Sequence, residues 1–205
     1  MNFEIIPLQE LDAAALAHLA ALHSAVMPTL LADLGSSVVA RYYEIAQKEA
    51  SVVGLCLVAD SGELLGLALG SPDPAALNAK LRQPLTWFAA QMLRLALTHP
   101  RVLFQLAQSV LSASNVNILQ PGQLELTYIG VAGSAQGQGL GKSLLAAFLA
   151  AARTAGYQSV VLSVETDNPS ALALYTRLGF SIAKTFREGQ YHRHRMEFSL
   201  SQAKI

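Results

Sequence analysis

Between Gln123 and Val164 the chain spells strand, glycine turn, amphipathic helix, strand, and that order leaves few folds open. Gln123 to Val131 has the composition of a strand. From Gly139 to Ala155, Leu140, Leu144, Leu145, Phe148, Leu149 and Ala152 fall on one helical stripe, and Gly156 supplies the stop. Ser159 to Val164 is a continuous apolar run, the mark of a strand buried on both faces. A strand, a helix and a strand at this spacing form a βαβ unit with a right-handed crossover. The connecting turn is Gln136-Gly137-Gln138-Gly139-Leu140-Gly141-Lys142-Ser143, with three glycines in five residues. Glycines let backbone approach a ligand closely, and the helix start adds unpaired N–H groups and a positive dipole end. An anion, most simply phosphate, is expected there. The plainer alternative is a glycine-rich turn with no ligand.

Upstream, the period switches twice. Phe3 to Pro7 reads as a first strand, Leu11 to about Met27 as a helix ended by Pro28, and Ser36 to Lys48 as a second helix with Val38, Val39, Tyr42, Tyr43 and Ile45 on its apolar face. Ser51 to Asp60 and Glu63 to Gly70 then form two strands of a hairpin around Ser61-Gly62. From Ser71 to Gln120 the text is helical again, broken at Pro84 and Pro100, so two or three short helices are expected. Beyond the βαβ unit, Asn168-Pro169 opens a helix that Gly179 closes, and strands are drawn through Ser181 to Phe186 and Tyr191 to Leu200.

With 205 residues, 52% hydrophobic and 14% charged, the chain can bury a full core and reads as one domain, which excludes a disordered chain. The longest apolar stretch, Leu85 to Leu97, is cut by Gln91 and Arg94, so no transmembrane helix is expected. The start Met1-Asn2-Phe3-Glu4 has no signal-peptide character, and one cysteine permits no internal disulfide; the expectation is a cytoplasmic protein. Net charge is zero but uneven. Residues 1–73 hold nine acids and two bases, whereas residues 74–120 hold Lys80, Arg82, Arg94 and Arg101 and no acid. That balance argues against a nucleic-acid binder and allows one end of the molecule to hold an anionic ligand.

Three phosphate-loop patterns compete for the turn. The nucleotide P-loop needs glycine where Gln136 stands, and the dinucleotide fingerprint needs a different glycine spacing. Gln136-x-x-Gly139-x-Gly141 after an apolar strand resembles the acyl-CoA loop of the GNAT superfamily of N-acetyltransferases. Asn168, Ala171, Leu174-Tyr175 and Gly179-Phe180 resemble that superfamily's second signature. The resemblance covers residues 123–186 closely and residues 1–70 only through the order of elements; residues 71–122 match nothing in the superfamily's core.

The resemblance implies an α/β fold: a mixed, splayed sheet of about seven strands with flanking helices, and a helical insert between strands three and four at about residues 71–122. It implies acetyl-CoA as acyl donor. Its diphosphate is expected on the backbone of Gln136, Gly137, Gln138, Gly139, Leu140, Gly141 and Lys142, and its pantetheine arm on the fourth strand near Ile129, Gly130 and Val131, with a bulge near Gly130 freeing those groups. Asn168 is first an N-cap before Pro169, and the resemblance adds a hydrogen bond to the pantetheine arm.

Transfer to a primary amine needs a base, a polarised thioester carbonyl and a proton for the departing thiolate. The resemblance puts Glu125 in the first role, a backbone N–H near Ile129 or Gly130 in the second, and Tyr175 in the third, by direct attack in a ternary complex. Plainer readings stand beside these: Glu125 as an exposed strand residue, and Tyr175 as a core tyrosine whose hydroxyl reaches solvent. Cys56 reads as a small buried hydrophobe rather than an acyl carrier. His192 and His194 alternate with Arg193 and Arg195, as a polar site wall or, in the preferred reading, a solvated edge strand. His18, His23 and His99 have no companions at metal-ligand spacing, and no metal is expected.

In the insert, Trp87, Phe88, Met92, Leu93, Leu95, Leu97, Val102, Leu103, Phe104, Leu106 and Leu111 exceed what one stripe can hide. They are expected to pack as a helical subdomain or a homodimer face; the sharper alternative is a surface for an anionic or lipid-linked acceptor or a peripheral membrane contact. The expected function is an acetyl-CoA-dependent N-acetyltransferase acting on an amine-bearing acceptor, a small molecule first. A non-catalytic acyl-CoA-binding module that docks a partner through the insert is the alternative.

Overall fold

The computed structural model of the chain describes residues 2–98, 119–188 and 191–201. Seven strands form one sheet: β1 (Phe3–Pro7), β2 (Val53–Ala59), β3 (Leu64–Ser71), β4 (Gln123–Val131), β5 (Ser159–Glu165), β6 (Ser181–Glu188) and β7 (Tyr191–Ser199). Their spatial order is β1-β2-β3-β4-β5-β7-β6, antiparallel everywhere except between β4 and β5. The parallel pair is the βαβ unit, crossed by α6 below.

The helices are α1 (Ala13–Val26), α2 (Leu30–Asp33), α3 (Ser36–Lys48), α4 (Pro74–Leu81), α5 (Leu85–Thr98), α6 (Leu140–Thr154) and α7 (Pro169–Arg177). Side-chain caps fix the starts of four of them. Asp12 accepts from the Ala15 amide at 2.8 Å, Thr29 from Ala32 at 3.2 Å, Asp73 from Ala76 at 2.9 Å and Asn168 from Ala171 at 3.0 Å. The short α2 was not anticipated from the sequence.

Strand alternation sends successive side chains to opposite faces, and each face carries its own core. On one side Leu19, Val38, Val39, Tyr42 and Tyr43 of α1 and α3 pack on Leu67 and Leu69 of β3. On the other, Leu144, Leu145 and Phe148 of α6 join Tyr175 of α7 against Leu124, Leu126, Leu162 and Met196. The expected mixed sheet, flanking helices and helical insertion after β3 are all present.

The described part of the insertion, α4 and α5, rests on α3. Leu77 and Leu81 are buried with the α1–α3 core, Lys80 pairs with Glu49, and Arg41 donates to the Gln83 carbonyl at 2.6 Å while its guanidinium lies 4.8 Å over the Trp87 ring. Leu95 is buried, but Leu85, Leu93 and Leu97 are exposed. Val102, Leu103, Phe104, Leu106 and Leu111, like His99, lie outside the described residues.

Candidate functional site

The site starts where two strands part. β4 pairs with β5 over Gln123↔Ser159, Leu124↔Val160 and Glu125↔Val161 only, whereas its pairing with β3 runs on to Val131. Past Glu125, then, no strand among the described residues pairs with the β5 side of β4. The Ala132 amide donates to the Leu65 carbonyl at 2.7 Å. In an antiparallel ladder the groups facing one neighbour alternate, so Gly130 and Tyr128 also face β3, while Ile129 and Val131 turn their backbone groups into the gap. The Val131 carbonyl is met there by Gln136 Nε2 at 3.3 Å.

One expectation about this strand needs correction. The bulge is not near Gly130: the β3–β4 register slips between Leu69↔Tyr128 and Gly70↔Leu126, so the extra residue is Thr127. Gly130 itself is closely packed: a Cβ there would lie 2.8 Å from Val26 Cγ2 and 3.2 Å from Met27 Cγ at the end of α1.

At the mouth of the gap, β4 leads through the 3-10 turn Gly133–Ala135 into the glycine turn. Gly137 and Gly139 have φ of 75° and 77°, and a Cβ on either would meet nothing within 4 Å. Such left-handed backbone suits glycine, and the open space leaves room for a ligand against the chain. α6 begins without a side-chain cap: the Lys142 and Ser143 amides fold back to the Gly139 carbonyl at 3.0 and 3.1 Å. Among the described residues, none accepts from the amides of Gly137, Gln138, Gly139, Leu140 or Gly141. Leu140 is anchored in a small cluster with Leu57, Leu65 and Ala135, and Gln138 Nε2 donates to the Ser134 carbonyl at 3.2 Å. Open amides, a helix start and Lys142 in the first turn, with no acid there, fit a diphosphate.

At the root of the gap sits Glu125. Its neighbours Leu124 and Leu126 point into the α6–α7 core, so Glu125 lies on the α1–α3 face. Its Oε1 accepts from Arg195 Nη1 at 2.7 Å, and the same Nη1 donates to Ser163 Oγ at 3.1 Å. The side chains are only 15% and 8% exposed, so the plainer reading of Glu125 as an exposed strand residue does not hold. Nor is β7 an edge strand. It lies between β5 and β6, which makes β6 the edge, and Arg195 is buried. Arg195 is the residue the sequence reading missed; its only signal was the alternation of arginines on a strand carrying Met196 and Phe198 on the other face.

Beside Glu125 on this face is an aromatic group. His23 lies 4.8 Å from Tyr128, and Tyr128 lies 5.6 Å from Tyr42, both edge to face. His23 also bonds Tyr43 and Thr29 through its two ring nitrogens. Burial pushes the His23 imidazole down to about 4 and holds the phenols of Tyr42, Tyr43 and Tyr128 well above the ordinary tyrosine range. These groups are neutral at physiological pH, so Glu125 and Arg195 carry the charge here.

Tyr175 comes from the opposite face, packed on Phe180 at 5.7 Å between centroids. It is 8% exposed, and burial pushes its phenol up to about 12, so its hydroxyl remains a donor. Glu125 and Tyr175 thus belong to the two opposite faces of the sheet. Asn168 is the N-cap of α7. Cys56 is buried and its thiol is pushed up to about 12, as a small core hydrophobe. Among the described residues there is no group of side chains that could hold a metal ion, and no helix long and apolar enough to cross a membrane.

The model of the acetyltransferase (GNAT) family matches residues 19–180. A mycothiol acetyltransferase of Mycobacteroides abscessus is 44% identical over 66 residues, 32% of this chain and 22% of that protein. That of Actinosynnema mirum is 49% identical over 57 residues, 28% of this chain and 19% of that protein. The matched stretch therefore spans about a fifth of the length of these relatives. The ribosomal-protein-S18-alanine N-acetyltransferase of Escherichia coli is similar in structure, with a TM-score of 0.62 at 16% identity over 98% of this chain and 96% of that one. The PaiA N-acetyltransferase of Thermoplasma acidophilum, solved in complex with coenzyme A, has a TM-score of 0.60 at 14% identity over 97% and 99%. At these identities the likeness speaks for the fold.

Proposed function

The chain belongs to the GNAT acetyltransferase family, and from that premise we propose that it is an N-acetyltransferase, one domain interrupted at about residues 71–122, that moves the acetyl group of acetyl-CoA to a primary amine of a small acceptor. The observation that carries this reading is the gap between β4 and β5, with unpaired amides at its mouth and a shielded carboxylate at its root.

Acetyl-CoA supplies the thioester; the chain supplies everything else. The amides of Gly137 to Gly141 hold the diphosphate, with Gln136 and Lys142 at either end of the turn. Ile129 and Val131 offer backbone groups to the pantetheine arm, and an N–H from this pair, rather than from Gly130, faces the thioester oxygen. Asn168, besides capping α7, reaches the arm from the other side. Glu125 takes the proton that an alkylammonium must lose before it can attack, directly or through one water. Tyr175 donates a hydrogen bond to the departing sulfur. Burial pushes its phenol up to about 12, which keeps the hydroxyl protonated and available to the thiolate as it leaves. The buried Cys56 favours direct attack over an acyl-enzyme, and an unpaired thiol suits a reducing cytoplasm.

The acceptor is not carried over from the mycothiol acetyltransferases, because the match leaves most of their length aside. Calorimetry with acetyl-CoA and coenzyme A at low salt, followed by thiol release with a panel of small primary amines, tests the reading. Binding is expected with both thiols' carriers, turnover with at least one amine, and a loss of kcat of about 10²–10⁴-fold in Glu125→Gln with acetyl-CoA affinity kept. No heat with either ligand overturns the proposal. Binding without turnover on any amine moves the protein to the non-catalytic acyl-CoA-binding module.

A further inference from the structure

We propose that Arg195 is the positioning residue for Glu125, fixing which carboxylate oxygen meets the acceptor; this rests on the reading of Glu125 as the base. Glu125 is the last residue of β4 paired to β5, so the backbone that steadies it on one side ends at that point. A side chain at such a fork needs another hold. Arg195 provides it from two strands away, reaching over Ser163, its cross-strand partner on β5.

The geometry is one-sided. A single nitrogen, Nη1, bonds Glu125 Oε1 at 2.7 Å and Ser163 Oγ at 3.1 Å. Among the described residues no group bonds Oε2, so that oxygen is the one left for an ammonium or a water. The short distance is that of a charge-assisted bond, and its partial burial shields it from the screening that makes surface pairs weak. Ser163 in turn stops the guanidinium from swinging away. A lysine could keep one bond as a point charge, but its flexible stem lacks the planar fork that holds a direction. Arg195 touches neither donor nor acceptor in this account; it acts through Glu125.

The test is a double-mutant cycle on the full chain with acetyl-CoA and whichever amine turns over. Arg195→Met is expected to lower kcat by about 10–100-fold while KM for acetyl-CoA stays within about twofold, with Arg195→Lys recovering part of the loss. In the Glu125→Gln background, Arg195→Met is expected to take away nothing further. If the two losses multiply instead, or if Arg195→Met chiefly raises KM for the acceptor in both backgrounds, Arg195 acts on its own and the proposal falls. Should Arg195→Met fail to fold, Arg195→Lys and Ser163→Ala in the same two backgrounds decide the matter by the same criterion. A Glu125→Gln variant with undiminished kcat removes the base itself, and that outcome is separate from an active Glu125 indifferent to Arg195.

Discussion

His23 Nδ1 lies 2.7 Å from the Tyr43 hydroxyl, joining the end of α1 to the middle of α3 within the core that backs Glu125. Its Nε2 reaches Thr29 Oγ1 at 2.8 Å, so both nitrogens are engaged. A neutral imidazole can satisfy this pair by donating on one side and accepting on the other; an imidazolium can only donate.

Stability should therefore fall in acid through His23. Its folded value, about 4, is below the ordinary 6.5, so between those values the unfolded chain binds the proton more readily. The contribution is complete above about pH 6.5 and is lost as pH falls towards 4. Urea midpoints measured across that window should decline, and His23→Gln should flatten the decline while lowering the midpoint at pH 7. An unchanged slope in the variant would show that the carboxylates alone set the acid limb.

Gly139→Ala should separate folding from binding. The residue's φ of 77° disfavours any side chain by about 1–2 kcal/mol, and the new methyl would enter the open space proposed for the diphosphate. We expect a modest fall in Tm and at least about a tenfold weaker acetyl-CoA affinity by calorimetry. Gly141→Ala is the control for fold: its Cβ would lie 3.7 Å from Val131 Cγ2, an ordinary contact within a helix, and stability should hold or rise by up to about 1 kcal/mol.

Gly130→Ala should damage the fold more than its size suggests. The added methyl would sit 2.8 Å from Val26 Cγ2, so the Val26 side chain or the end of α1 must give way. A loss of about 1–3 kcal/mol in chemical denaturation is expected, and substitution without loss would mean that the end of α1 yields freely.

Cys56→Ala should keep its turnover. The thiol is 1% exposed, so the change removes packing, about 1–2 kcal/mol, and no reacting group. Initial-rate patterns that intersect in wild type and variant alike check this; parallel patterns in wild type, abolished in the variant, would restore the acyl-carrier role.

Local signals carried most of the architecture. β1, β4 and α3 occupy the spans assigned to them, because the apolar run of 3–7, the strand composition of 123–131 and the apolar face of Val38, Val39, Tyr42, Tyr43 and Ile45 are signals between near neighbours. α2 escaped notice since four residues capped by Thr29 hold no period to detect. The bulge at Thr127 and the burial of Arg195 were out of reach for a different reason. Each depends on which strand lies alongside, and the last strand drawn along the sequence enters the sheet between two earlier ones. The glycine turn and the α7 cap were legible because their signals lie within a few residues of one another, whereas the guanidinium that meets Glu125 is 70 residues away and belongs to no motif.

That order of strands bears on how the protein is made. β6 leaves the ribosome before β7, yet it has no edge to join until β7 has paired with β5. Whether β7 pairs first or the two strands dock together, Arg195 reaches Glu125 only when β7 joins β5. A nascent chain halted before Tyr191 would hold the glycine turn, both β4 and β5 and Glu125, but not the arginine that pairs with Glu125 among the described residues.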